Sequence, residues 1–136
     1  MVYETTLMIE TELPLPFTVA DGTAVALGTV MKLSDPLTAA PHSSADDTFA
    51  GIAAAEKIAS DGKTSLALFR GGWHKMTLSG NVTAGDAVVL DTQLNTVKAA
   101  TSANPAGDMV GIALENGATS ETIMVEVRPG VANPFI

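Results

Sequence analysis

From position 21 onward, the chain consists of short apolar stretches separated by turn residues such as Asp61-Gly62 and Asn116-Gly117. Alternation of apolar and polar residues is typical of strands with one buried face. About eight short strands with turns at this spacing predict an all-β fold, a small barrel or sandwich. The clearest alternation places Leu66 and Leu68 on one face of a strand, and His74, Met76 and Leu78 on one face of the next. In the last hairpin the predicted inner face consists of Ile123, Val125 and Val127.

Two parts of the chain resemble each other weakly. Gly51-Ile52-Ala53 recurs as Gly111-Ile112-Ala113, and residues 28–33 have the same shape as residues 85–90. This echo predicts two similar β units packed into one barrel. Gly28, inside an apolar stretch, indicates a bulge or a close approach of another backbone.

Residues 49–60 fit two secondary structures. Their alanines suit a helix, but Ile52 and Ile58 share a face only in a strand. We therefore predict a strand.

The first twenty residues differ from the rest. Two prolines at alternate positions fix two φ angles and remove two backbone donors, which argues against a helix and against a central strand. We predict an extended N-terminal arm (1–20), a β-barrel domain (21–130) and a short apolar tail (131–136). The arm either lies along the edge of its own domain or docks on a neighbouring protein, and its contact residues would be Leu13, Pro14, Leu15, Pro16 and Phe17.

Composition narrows the functional classes. Hydrophobic residues make up 46% and charged residues 16%, which is too apolar for a disordered chain. No stretch approaches the roughly 20 apolar residues of a membrane span, and the first residues lack the cationic start of a signal peptide. The net charge is −8 and the seven cations are scattered, so we expect no nucleic-acid partner and no anionic membrane partner.

No residue pattern indicates catalysis. Cysteine is absent, and His42 and His74 lack the closely spaced partners of a metal site. We therefore expect no enzyme activity, no cofactor and no metal. His74 is interpreted as a packing or interface residue. Trp73 and Phe135 are candidates for contacts between chains, with a core or barrel-end position as the alternative for Trp73.

A family resemblance rests on ordered short motifs across residues 13–127. These are Leu15 to Thr23 (LPFTVADGT), Gly28 to Pro36 (GTVMKLSDP), Phe49 to Lys57 (FAGIAAAEK), Val82 to Asp86 (VTAGD) and Val110 to Glu115 (VGIALE). In these motifs the chain resembles the head-decoration, or capsid cement, proteins of tailed bacteriophages.

The resemblance implies a tulip-like β-barrel, usually a homotrimer, made in the host cytoplasm and located on the outer surface of the virion. Such proteins bind the expanded icosahedral head at threefold or quasi-threefold positions and stabilise contacts between major capsid protein subunits, often through an N-terminal arm. Two alternatives remain: a virion-surface β module that binds a receptor or glycan, and a small hydrolase or ligand-binding barrel.

Overall fold

The computed structural model describes residues 4–130, so the predicted tail at 131–136 lies outside the described residues. A short 3₁₀ helix spans Ala106–Asp108. Between residues 4 and 130, no helix is long and apolar enough to cross a membrane. The strands are β1 (Thr6–Ile9), β2 (Leu15–Thr18), β3 (Val30–Asp35), β4 (Thr38–Pro41), β5 (Phe49–Ala53), β6 (Ser65–Phe69), β7 (Gly72–Leu78), β8 (Ala87–Leu90), β9 (Thr96–Ala99), β10 (Met109–Ala113) and β11 (Thr122–Val127).

Strands β2 to β6 close into a barrel in the order β2-β4-β3-β5-β6, which we call the first barrel. A parallel pairing at Thr18 and Thr38 joins β2 to β4. Strands β7 to β11 repeat this arrangement as the second barrel, where Thr77 of β7 pairs in parallel with Thr96 of β9. The all-β barrel prediction is confirmed. The two units do not share one barrel as expected, because each closes its own ring.

The correspondence between the barrels extends to bridges outside the strands. In the first barrel, Val25 and Lys57 exchange two backbone hydrogen bonds of 2.9 and 2.7 Å. In the second barrel, Val82 and Gly117 exchange two of 2.9 Å. The weak echo in the sequence therefore reflects a structural repeat.

Strand β1 lies outside the repeat and pairs with β7 along the side of the second barrel. Just before it, the hydroxyl of Thr5 donates a hydrogen bond to the carbonyl of Gly28. A Cβ at Gly28 would lie 2.6 Å from the Thr5 carbonyl oxygen, and its φ is +83°. The predicted close approach at this glycine is therefore confirmed.

The alternating segments form strands as predicted, and their inward positions are buried. The strand predicted over residues 49–60 is too long, because β5 ends at Ala53 and the chain then turns back to bridge Val25 through Lys57. The predicted inner face of the last hairpin is buried, and so are the shared faces of β6 and β7: Ile123, Val125, Val127, Leu66, Leu68, His74, Met76 and Leu78.

The two barrels share one hydrophobic core. Val30, Phe49 and Ile52 of the first barrel belong to the same buried cluster as the interior of the second. A separate, smaller cluster that includes Phe17 and Leu68 fills the first barrel. Because part of the first barrel packs into the core of the second, neither ring is independent of the other.

The proline segment departs from its prediction, because Leu15–Thr18 is β2 of the first barrel and is paired on both sides. Its long ladder is with β6, whereas β4 reaches it only at Thr18. The Thr18 N–H donates toward β4, to the carbonyl of Leu37. Backbone N–H groups alternate sides along a strand, so the nitrogen of Pro16 also faces β4, beyond the end of that ladder. A proline fits there because no hydrogen bond is lost.

Candidate functional site

The predicted contact residues of the N-terminal segment differ in exposure. Leu13 is 78% exposed and Leu15 is 49% exposed. Pro14 is half-buried and Pro16 is exposed. Phe17 is buried in the core of the first barrel. Phe17 thus anchors β2 to its own barrel, and the two leucines are the side chains available to another protein.

The β3–β4 hairpin, whose turn meets the end of β2, carries two further exposed leucines. The Leu37 carbonyl accepts the Thr18 N–H at 2.8 Å, which places the tip of the hairpin against the end of β2. Leu37 is 75% exposed, and Leu33 on β3 is also exposed. We call Leu13, Leu15, Leu33 and Leu37 the leucine surface. Sequence reasoning missed its hairpin half, although a leucine after Asp35-Pro36 in a turn is an unusual choice.

Leu37 has a backbone conformation that a leucine rarely adopts. Its φ is +52°, in the left-handed region that favours Gly, Asn and Asp. A residue held there at some cost in free energy, with its apolar side chain in water, is typical of a contact site. The turn thus presents Leu37 outward instead of using a residue that suits the backbone.

The equivalent position in the second barrel is Asn95, which also has a positive φ (+66°) and precedes the threonine of the parallel pair. Asn95 is only 3% exposed. Its backbone N–H donates to Nε2 of His42 at 2.7 Å, and its Oδ1 accepts the Val30 N–H at 2.8 Å. This turn therefore joins the two barrels, and His42, in the loop after β4, is a buried residue of the joint.

Of the two residues predicted to contact another chain, the structure describes one. Trp73 is half-buried on β7, where Ile9 of β1 and Glu126 of β11 are its strand partners. Phe135 lies outside the described residues. A role for either in contacts between chains stays a prediction.

Lys57 is the most enclosed cation among the described residues. Its Nζ donates to the carboxylates of Asp61 at 2.8 Å and Asp21 at 3.1 Å, and to two backbone carbonyls. Burial alone would lower the pKa of Lys57, but the two carboxylates outweigh it and the pKa is raised. The hydrogen bond from Lys57 lowers the pKa of Asp61 to about 2. The cluster joins one cation to two carboxylates and holds the turn that closes the first barrel.

Among residues 4–130, no group of three or more His, Asp and Glu side chains could hold a metal ion. Burial lowers the pKa of both His42 and His74, in the second case to about 4, so both imidazoles are neutral at pH 7. The described part of the chain thus presents a contact surface more clearly than a reactive centre.

Comparisons with known proteins give a structural neighbour and a family match. A search of curated proteins finds no match. Among solved structures, the head fiber gp8.5 N base of bacteriophage phi29 is similar, with a TM-score of 0.55 and 11% sequence identity. The match covers 85% of this chain and 94% of the phi29 chain. At this identity the likeness shows a shared fold.

The sequence profile of one family, described as phage cement protein, matches residues 9–129. This range takes in both barrels, the Leu13 and Leu15 segment and the β3–β4 hairpin. The chain therefore belongs to the phage cement protein family.

Proposed function

We propose that the protein is a structural cement protein that binds the outer surface of the expanded phage head and stabilises contacts between major capsid protein subunits. The observation that supports this role most directly is the leucine surface. Exposed apolar side chains grouped on one part of a soluble domain mark sites of protein contact. Membership of the phage cement family supplies the class of partner.

The mechanism is linkage between binding and capsid stability. A protein that binds only the expanded lattice stabilises that lattice by mass action, and the effect accumulates over many sites. We propose a homotrimer at threefold or quasi-threefold positions, in which three leucine surfaces engage together. Each surface then needs only modest affinity, because the second and third contacts are intramolecular. In this role the protein is not an enzyme and needs no cofactor.

The direct test is co-sedimentation of the purified protein with expanded, undecorated heads, with unexpanded procapsids as the control. We expect saturable binding to expanded heads alone. Binding to neither form by a folded sample would contradict the proposal and favour the receptor or glycan module. Analytical ultracentrifugation of the free protein tests the trimer separately.

Variants test the leucine surface itself. Leu37→Asn removes the apolar side chain and introduces a residue that accepts the positive φ. We expect at least tenfold weaker binding to expanded heads, and a similar loss for Leu13→Ser with Leu15→Ser. Ile58→Asn is the matched control, because Ile58 is also exposed on the first barrel but lies outside the leucine surface. Equal effects of Leu37→Asn and Ile58→Asn would remove the leucine surface from the proposal.

A further inference from the structure

One hydrogen bond between the two barrels depends on the charge of a histidine. His42 is 2% exposed, and its own N–H donates to the Val30 carbonyl of the first barrel at 3.2 Å. Its Nε2 accepts the backbone N–H of Asn95, in the turn before β9 of the second barrel, at 2.7 Å. A backbone N–H can only donate, so Nε2 must keep its lone pair and the ring proton must lie on Nδ1. This contact therefore exists only while the imidazole is neutral.

Protonation of His42 would bring two donors face to face. The imidazolium carries an N–H on both ring nitrogens, so Nε2 would oppose the Asn95 N–H instead of accepting it. Asn95 is buried, and a buried donor that loses its acceptor destabilises the arrangement that holds it. The protonated ring is therefore incompatible with the joint between the barrels as it stands.

Charged groups around the ring act on it in both directions. Burial has the largest effect and lowers the pKa of His42, and the ammonium of Lys32 on β3 acts in the same direction. The carboxylate of Asp47, in the same loop as His42, and the backbone and carboxylate of Asp91, after β8, favour the protonated ring. A hydrogen bond from Ser79 lowers the pKa of Asp91, which keeps this carboxylate ionised at mildly acidic pH. The protonated ring thus has negative charge nearby to stabilise it.

The surroundings of the joint would confine the change to one turn. The hydrophobic core shared by the two barrels contains no titratable side chain. The Asp46 N–H, farther along the same loop, donates to the Leu90 carbonyl of the second barrel at 3.0 Å, and this hydrogen bond does not involve the histidine. A cavity of about 290 Å³, lined in part by Pro41, Leu94 and Asn95, borders the turn and gives it space to move.

We propose that His42 is a pH-dependent latch between the two barrels: the neutral ring holds the Asn95 turn to the first barrel, and uptake of a proton releases it. The fold persists on release, because the shared core is unaffected. The equivalent turn of the first barrel, at Leu37, has no histidine partner and stays unchanged. The latch is separate from the leucine surface, so its test needs no capsid and does not depend on the proposed function.

The test is an NMR titration of the full chain from pH 7.5 to 4.5, which follows the His42 ring carbons and the Asn95 amide. We expect both to change with one midpoint, below pH 6.5. Across this transition the Asn95 amide should lose about tenfold of its protection from hydrogen exchange, after correction for the intrinsic effect of pH. The Val25 amide is the internal control and should keep its protection, because it donates to the Lys57 carbonyl with no histidine involved.

Two variants assign the transition. In His42→Gln the side-chain oxygen can accept the Asn95 N–H and does not titrate, so the Asn95 amide should become independent of pH. In His74→Gln, which removes the other histidine, the Asn95 transition should be unchanged. An Asn95 transition that persists in His42→Gln would overturn the proposal. So would two results in the unaltered chain: an Asn95 amide that stays constant while His42 takes up its proton, or a His42 that takes up no proton above pH 4.5.

Discussion

The first and second barrels have the same strand order but differ at equivalent turns. In the second barrel, the turn before β9 carries Asn95, which is buried and hydrogen-bonded to His42 and Val30. In the first barrel, the turn before β4 carries Leu37, which extends into solvent. One copy of the turn thus holds the two barrels together, and the other copy exposes an apolar side chain to solvent.

The bridges outside the strands also differ between the two barrels, in the interactions that hold them closed. Lys57 closes its turn in the first barrel with two carboxylates. At the equivalent Gly117, a Cβ would lie 2.7 Å from both Ile123 Cγ2 and Leu78 Cδ1. The second barrel therefore closes by direct apolar packing over a glycine. A repeated topology fixes where a turn lies, and the individual side chains decide whether charge or packing holds it.

The largest expected effect is on the shared core. Phe49→Ala should destabilise the protein by about 3–5 kcal/mol, because Phe49 of the first barrel is buried in the core of the second. Urea unfolding, followed by Trp73 fluorescence and by circular dichroism, should show a single transition at lower urea. Leu33→Ala, at an exposed site, should change stability by less than about 0.5 kcal/mol. Two separate transitions in the unaltered protein would contradict the shared core.

The pH dependence should reveal the neutral histidine. The pKa of His74 is lowered from 6.5 to about 4, so the unfolded chain takes up its proton first as pH falls. Stability should therefore be full above pH 6.5 and decline toward pH 4, by about 1.4 kcal/mol for each unit of difference in pKa. Urea unfolding at pH 7, 5.5 and 4.5 measures this. A decline of the same steepness in His74→Gln would assign it to other groups.

A substitution at the joint between the barrels should destabilise the protein less than Phe49→Ala does. Asn95→Gly keeps the positive φ but removes the oxygen that accepts the Val30 N–H, for an expected cost of about 1–3 kcal/mol. Leu37→Gly at the equivalent exposed turn should be nearly neutral or slightly stabilising. The midpoint of thermal unfolding distinguishes the two, and equal shifts would mean that the turns do not differ as described.

The smallest effect concerns the charged bridge of the first barrel. The pKa of Asp61 is lowered from 3.8 to about 2, so its contribution is present above pH 3.8 and is lost as pH falls toward 2. Asp61→Asn should flatten the stability curve in this window alone, below the range where His74 acts. Thermal unfolding between pH 4.5 and 2.5 tests this. A change confined to pH 5–7 would be evidence against the assignment.

Local patterns predicted most of the strands. Alternation located Ile123 and Val125 on an inward face, because burial on one side of a strand imposes a period of two. Local reasoning was wrong about Pro16. The missing N–H excludes a paired strand only where the neighbouring strand extends far enough to accept its hydrogen bond. That extent is set by the parallel contact with β4, which no local pattern encodes.

The sequence pointed to only two of the four leucines in the candidate site, and their role in contacts stays a prediction. Leu13 and Leu15 stood out because prolines flank them, but Leu33 and Leu37 belong to a hairpin that only the folded chain brings to β2. The sequence indicated that His74 is a packing or interface residue, and the structure shows that it is buried on β7.

Ring closure affects how copies of the chain behave when they are crowded together. Within both rings every strand has a neighbour on each side, so the barrels offer few backbone groups to which another chain could add a strand. Among the strands between residues 4 and 130, β1 is the one at a sheet edge, and a register shift between Leu7 and Ile9 interrupts it. Side chains, and not main-chain pairing, must therefore select the partners of this protein, which disfavours uncontrolled growth of β-sheet between neighbouring copies.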